Sequence, residues 1–163
     1  MDTLAFVHGA FHWLGLSLKK SVASFSSSSE VYGEIALPEG MHLISDMDYN
    51  EHGVSVLGGV LCVYSTHAHH GKYPFKLWVM KDYGVKESWN QLFTIQGNDL
   101  YSITPKYRFS DGDVLLHCIH LIGAIFILSR NQLERNGSVF KTSKESSGLW
   151  PQSDLKSIQN GFV

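Results

Sequence analysis

Three glycines set the frame for this chain. Gly9, Gly59 and Gly112 stand about 50 residues apart, and each opens onto an apolar burst. The bursts are Ala10-Phe11-His12-Trp13-Leu14, Val60-Leu61-Cys62-Val63-Tyr64 and, one residue further on, Val114-Leu115-Leu116. Each is followed by a second apolar stretch: Val22 to Phe25, Phe75 to Met80, and Ala124 to Leu128. An aromatic-bearing stretch then follows: Glu30 to Ile35, Trp89 to Ile95, and Ser138 to Lys141. Strand, glycine turn, strand, loop, strand, loop, strand is a four-stranded meander, the size of a propeller blade of kelch type. Glycine suits the turn because it takes positive φ without steric cost. The expected fold is all-β: three blade-like four-stranded antiparallel sheets of an incomplete β-propeller. The units are expected over residues 1–38, 54–95 and 105–142 of a single domain, with an irregular tail over 143–163. A plain antiparallel sandwich with accidental periodicity is the competing fold.

The most informative stretch is Phe75 to Ile95. Phe75 to Met80 is a nearly continuous run of aromatic and branched residues, which marks a strand buried on both faces. Lys81 to Glu87 is charged and carries Gly84, so it predicts a solvated connection. Trp89 to Ile95 alternates, with Trp89, Phe93 and Ile95 on one side and Ser88, Asn90 and Thr94 on the other. Together they predict a hairpin with a longer loop. A short helix over Glu87 to Phe93 is the rival, weakened by its length and lack of caps. The four tryptophans predict core positions, since a ring in a blade strand buries on the order of 150–250 Å². Trp13, Trp78, Trp89 and Phe93 are the expected structural core, and Trp150, outside the repeat, is the one candidate for stacking on a ligand.

Three motifs in this order resemble a known family. They are Gly9-Ala10-Phe11-His12-Trp13-Leu14, then Ser28 to Glu34 with Ile35, Leu37 and Pro38, then Trp78-Val79-Met80-Lys81-Asp82-Tyr83-Gly84-Val85 with Glu87-Ser88-Trp89 and Leu92-Phe93-Thr94-Ile95. They look like the signature of the plant F-box associated domain, the C-terminal receptor half of many plant F-box proteins. The resemblance implies a propeller-like fold, which is part of the reason for preferring the propeller to the sandwich. The resemblance covers residues 6 to 95; beyond residue 105 it is only an Asp-Gly pair followed by apolar residues. It departs from the family at Ser26-Ser27, and the F-box helices and the family's final strand are absent from these residues. A truncated product or an excised fragment is the expectation.

Composition narrows the class further. The chain has 163 residues, enough for one domain with a sizeable core. With 44% apolar and 17% charged residues and a net charge of −2, it carries no electrostatic footprint for nucleic acid or an anionic membrane. Cys62 and Cys118 each sit in an apolar run and are expected to be reduced core thiols. No secretory signal pattern opens the sequence, and the run Val114 to Leu128 is too short and too polar for a span. A soluble protein of the cytoplasm and/or nucleus is expected.

Chemistry-bearing patterns are sparse. His67, His69 and His70 cluster in an expected loop, without paired cysteines or a nearby carboxylate, so neither a structural metal nor a cofactor is expected. His117 and His120 fall on opposite faces of a strand. Gly-x-Ser-x-Gly, Walker-type loops and Cys-x-x-Cys are all missing, and Asp46 and Asp48 sit in a solvated loop. No enzyme activity is expected.

The resemblance implies substrate recognition for a Skp–cullin–F-box ubiquitin ligase, with a target protein as partner and a Skp-type adaptor bound only through the missing F-box. Long mixed loops over Glu39 to Gly53, Ser65 to Pro74 and Gln96 to Lys106 are the expected binding face. Tyr73 and Tyr101 are its leading contacts, ahead of His67, His69 and His70. Two alternatives stand beside this: a kelch-like module for a glycan or small ligand, and a truncated product without receptor activity.

Overall fold

The computed structural model describes residues 3–15, 21–41, 51–66, 73–97, 100–120 and 125–129. Eleven strands run through them: β1 (Ala5–Val7), β2 (Ala10–Leu14), β3 (Ser21–Ser26), β4 (Tyr32–Ala36), β5 (Glu51–Leu57), β6 (Val60–Thr66), β7 (Tyr73–Met80), β8 (Trp89–Gly97), β9 (Leu100–Arg108), β10 (Val114–His120) and β11 (Ile125–Ser129). They form three open antiparallel sheets in simple meander order: β1-β2-β3-β4, β5-β6-β7-β8 and β9-β10-β11. The fold is thus all-β, and among the described residues the helical content is one 3₁₀ turn, Lys86–Ser88. The helix considered over Glu87 to Phe93 does not form, because the strand takes over at Trp89.

The glycine frame is what starts each sheet. Gly9, Gly59 and Gly112 all have positive φ, and each lies between the first and second strands of its sheet. His8-Gly9 and Gly58-Gly59 are two-residue hairpin turns with positive φ at both positions. That is the turn whose twist matches its flanking strands. The expected unit boundaries shift by a few residues: sheets span 5–36 and 51–97, and the third begins at Leu100 rather than at residue 105. The third sheet has three strands among the described residues, and Ser138 to Lys141, expected as its fourth, lies outside them.

The second sheet is apolar on both faces, as the run Phe75 to Met80 predicts. Phe75, Leu77 and Val79 join Leu57, Cys62, Tyr64, Phe93 and Ile95 in a core against Ile103, Val114, Leu116 and Cys118 of the third sheet. Trp78 and Met80 turn the other way, into a core with Val54, Leu61 and Val63 against Ala5, Val7, Val22, Ile35 and Leu37 of the first. The middle sheet is the filling between the outer two.

Two expectations about side-chain direction are corrected. Trp89 does not share a face with Phe93 and Ile95. Leu77 pairs with Phe93 but Trp78 pairs with Gln91, so Leu92 is an extra residue on β8. This β-bulge resets the alternation. Trp89 therefore sides with Trp78 and Met80 and flanks the core toward the first sheet, while Phe93 and Ile95 enter the other. Trp13 belongs to neither core: it is half-buried and shares parity with exposed Phe11, on the face of the first sheet turned away from the second. Trp78 and Phe93 are buried as expected.

Candidate functional site

His12 of the first motif stretch and Tyr83 of the third meet at a joint between the first and second sheets. Alternation on β2 turns His12 inward, where it is fully buried. Its Nε2 lies 2.8 Å from the hydroxyl of Tyr83, in the connection between β7 and β8. The Tyr83 ring lies 4.6 Å from that of His8 and meets His12 edge-on at 5.6 Å. The Ser88 hydroxyl holds the connection closed, within reach of the carbonyls of Asp82 at 2.8 Å and Val85 at 2.7 Å. Below it, the Trp89 indole donates to the Ala36 carbonyl at 2.8 Å. Burial holds the His12 imidazole below its ordinary pKa, backbone groups of Ala5 and Ala10 oppose this, and the nearby His8 adds to the lowering. Burial likewise raises the Tyr83 phenol. The joint leaves His12 no exposed surface for a substrate, so its work is to hold the two sheets together.

A cleft of about 350 Å³ opens where the first strands of all three sheets come together. Thr3, Ala5, Val54, Ser55, Thr104 and Lys106 are among its lining. Each of β1, β5 and β9 is the end strand of its sheet, so each presents an unladdered backbone edge. Short polar links tie the three. Thr3 Oγ1 accepts from the Val54 amide at 2.8 Å, and the Ser55 hydroxyl donates to the Pro105 carbonyl at 3.4 Å. Tyr64 lies behind them; burial pushes its phenol up to about 12, against the pull of the Thr104 hydroxyl beside it. Gly53 is obligatory here, because a Cβ would run into the Tyr64 ring and hydroxyl and come within 2.7 Å of Thr3 Oγ1. Backbone edges, hydroxyls and one amine can offer hydrogen bonds to a peptide or a small polar ligand.

A second cleft, about 420 Å³, lies along the outer strand β8 beside the chain leaving β4. Trp78, Trp89, Gln91, Glu39, Lys86 and Glu87 line it. Among the described residues no group of three His, Cys, Asp or Glu side chains could hold a metal ion.

The residues expected to bind a partner fall partly within the structure. His67, His69 and His70 lie outside the described residues. Tyr73 opens β7 and Tyr101 is the second residue of β9, so both stand in strands rather than loops. The loop expected over Gln96 to Lys106 is mostly strand, since β8 runs to Gly97 and β9 starts at Leu100. Tyr73 pairs with Gly97, so the register brings both tyrosines to the same end of the second and third sheets. Sequence reasoning missed the contact of His12 with Tyr83 and the role of Trp89 as a donor to the first sheet. Compared with known proteins, the chain matches no family model and no curated protein.

Proposed function

We propose that this chain is the target-recognition module of a Skp–cullin–F-box ubiquitin ligase, built as three successive blades of an incomplete β-propeller. The observation that carries the reading is the joint. Residues of the first and third stretches that resemble the F-box associated domain, though far apart in sequence, touch: His12 meets Tyr83, and Trp89 of the third donates to the backbone carbonyl of Ala36, between Ile35 and Leu37 of the second. A motif set that defines a fold is expected to cohere in space in this way. The neighbouring first strands and the double-sided second sheet support the blade arrangement. Partner contacts are assigned to Tyr73 and Tyr101 at the common end of the second and third sheets, with His67, His69 and His70 beside them in sequence. Ubiquitin transfer itself belongs to other subunits.

The test is to join the chain to an F-box in plant cells and identify neighbours by proximity labelling. Proteins that are enriched, and whose turnover slows on proteasome inhibition, are the expected result. The double change Tyr73→Ala and Tyr101→Ala should remove them while the melting temperature stays put. Recovery of the same proteins with the double variant would move the site elsewhere, and no change in turnover of any neighbour would sink the ligase role.

One observation favours the kelch-like alternative of a glycan or small-ligand site. The cleft along β8 sets two indoles beside two carboxylates and an amide, the mix of apolar wall and polar groups that ligand sites use. A glycan array that stays blank with the purified chain would remove it.

A further inference from the structure

The cleft between the first strands of the sheets carries a donor set that suits an anion. Thr3 Oγ1 accepts from the Val54 amide at 2.8 Å, so the proton of that hydroxyl is left to donate. Behind Thr3 and Thr104 lies the Tyr64 hydroxyl, fully buried and without a hydrogen-bond partner. Burial raises its pKa, and the hydroxyls of Thr104 and Thr3 oppose this from close by. A buried hydroxyl with nothing to bond costs free energy until a neighbour or a ligand completes a chain. Donation from Tyr64 to Thr104 completes one, and turns the Thr104 proton toward the cleft. Lys106 adds an exposed ammonium, and no acidic side chain stands in the lining among the described residues. Two hydroxyl protons and an ammonium, with no carboxylate beside them, match the two oxygens of a carboxylate group.

The strand edges suit a peptide group beside that anion. The two-residue turns close on Val7 with Ala10 and Leu57 with Val60, so these pairs bond across their hairpins. The next pairs, Phe6 with Phe11 and Val56 with Leu61, are then the non-bonded ones, and Phe6 and Val56 turn amide and carbonyl away from the ladder. Val54, two residues from Val56, does the same, and its amide is the one that reaches Thr3. Phe6, Val54 and Val56 all line the cleft, which therefore meets unladdered backbone of both β1 and β5. Leu4 and Pro105 add an apolar wall. At about 350 Å³ the cleft is near the small end of ligand sites, with room for the end of a chain rather than for a chain passing through. A carboxylate joined to a peptide group and a side chain is what the last residue of a polypeptide carries. An Asp or Glu inside a chain holds its carboxylate on a stem, with chain leaving on both sides.

We propose that this cleft binds the free C-terminal end of a polypeptide, its carboxylate held by Thr3, Thr104 and Lys106 and its last peptide group by the edges of β1 and β5. The inference rests on the recognition reading only for the owner of that end, a target protein. The test is an array of short random-sequence peptides fixed by their N-termini with the carboxyl ends free, beside the same set amidated, both probed with the whole chain. Binding to the free ends, weakened at least about tenfold by amidation, is the expected result. For the strongest peptide in solution, Lys106→Met and Thr104→Val should each weaken binding at least about tenfold. Lys81→Met, at an exposed cation between β7 and β8, should leave it unchanged. Circular dichroism identifies a variant that has not folded, and the comparison of free with amidated ends needs no variant. A blank array, equal binding to the amidated set, equal weakening by Lys81→Met, or full binding by both folded cleft variants overturns the proposal. So does competition by acetate or N-acetylvaline as strong as that of the whole peptide, which would give the cleft to a small free acid. The array holds no F-box and no ligase, so binding there survives a failure of the ligase reading, and a blank array leaves the contacts assigned to Tyr73 and Tyr101 standing.

Discussion

His12 shows how one buried side chain ties stability to pH. Its folded pKa lies below the ordinary 6.5, because burial disfavours the imidazolium. The unfolded chain then binds the proton more readily, so stability is lost on acidification. Its full contribution is present above about pH 6.5 and falls away below that, toward the depressed folded value. Thermal melts from pH 8 to pH 5 should show the drop, and His12→Gln should flatten part of it; an unchanged profile would mean that the ring is not held neutral at the joint. The two tryptophans on the same face should separate by size of effect. Trp78→Ala should cost about 3–5 kcal/mol in urea unfolding. Trp89→Phe keeps most of the ring but loses the bond to Ala36, and should cost about 1 kcal/mol. At Gly53 the collision with Tyr64 predicts a loss of about 1–3 kcal/mol for Gly53→Ala. Combining it with Tyr64→Leu should cost less than the sum of the two.

At the scale of elements, the sequence is most legible where a pattern is local. The run Phe75 to Met80 and the glycine turns name their strands correctly, and the aromatic-bearing stretch Glu30 to Ile35 holds most of β4, because each is decided by neighbours in sequence. Alternation fails at β8 for a physical reason. The pattern of Trp89, Phe93 and Ile95 assumes an unbroken pleat, and only pairing against β7 exposes Leu92 as an extra residue. The joint was not legible at all, because His12 and Tyr83 are brought together by the stacking of sheets. The bulge makes a direct prediction. Deleting Leu92 would join Gln91 directly to Phe93 and keep Gln91 opposite Trp78 and Trp89 opposite Met80, so both should stay on their present faces and unfolding should remain cooperative. Leu92→Ala keeps the extra residue and should cost about 2 kcal/mol or less.

At the scale of the whole molecule, Cys62 and Cys118 report on whether the sheets separate. They share the core between the second and third sheets, and burial pushes both thiols up to about 12. At pH 8 neither should react with a maleimide until that core opens, and both should then react at one rate. Earlier reaction of Cys118 alone would mean that the third sheet opens by itself. The double-sided second sheet also bears on how the protein is made. As the chain leaves a ribosome, β1 to β4 emerge with Ala5, Val7, Val22 and Ile35 bare, and their cover is complete only once Met80 is out. The second sheet then arrives with a new bare face, Tyr64, Phe75 and Leu77, which waits for β9 and β10. Through most of its synthesis the nascent chain carries a finished sheet with one sticky side. Protection by chaperones, or a rate of translation matched to folding, thus becomes a requirement written into the order of its strands.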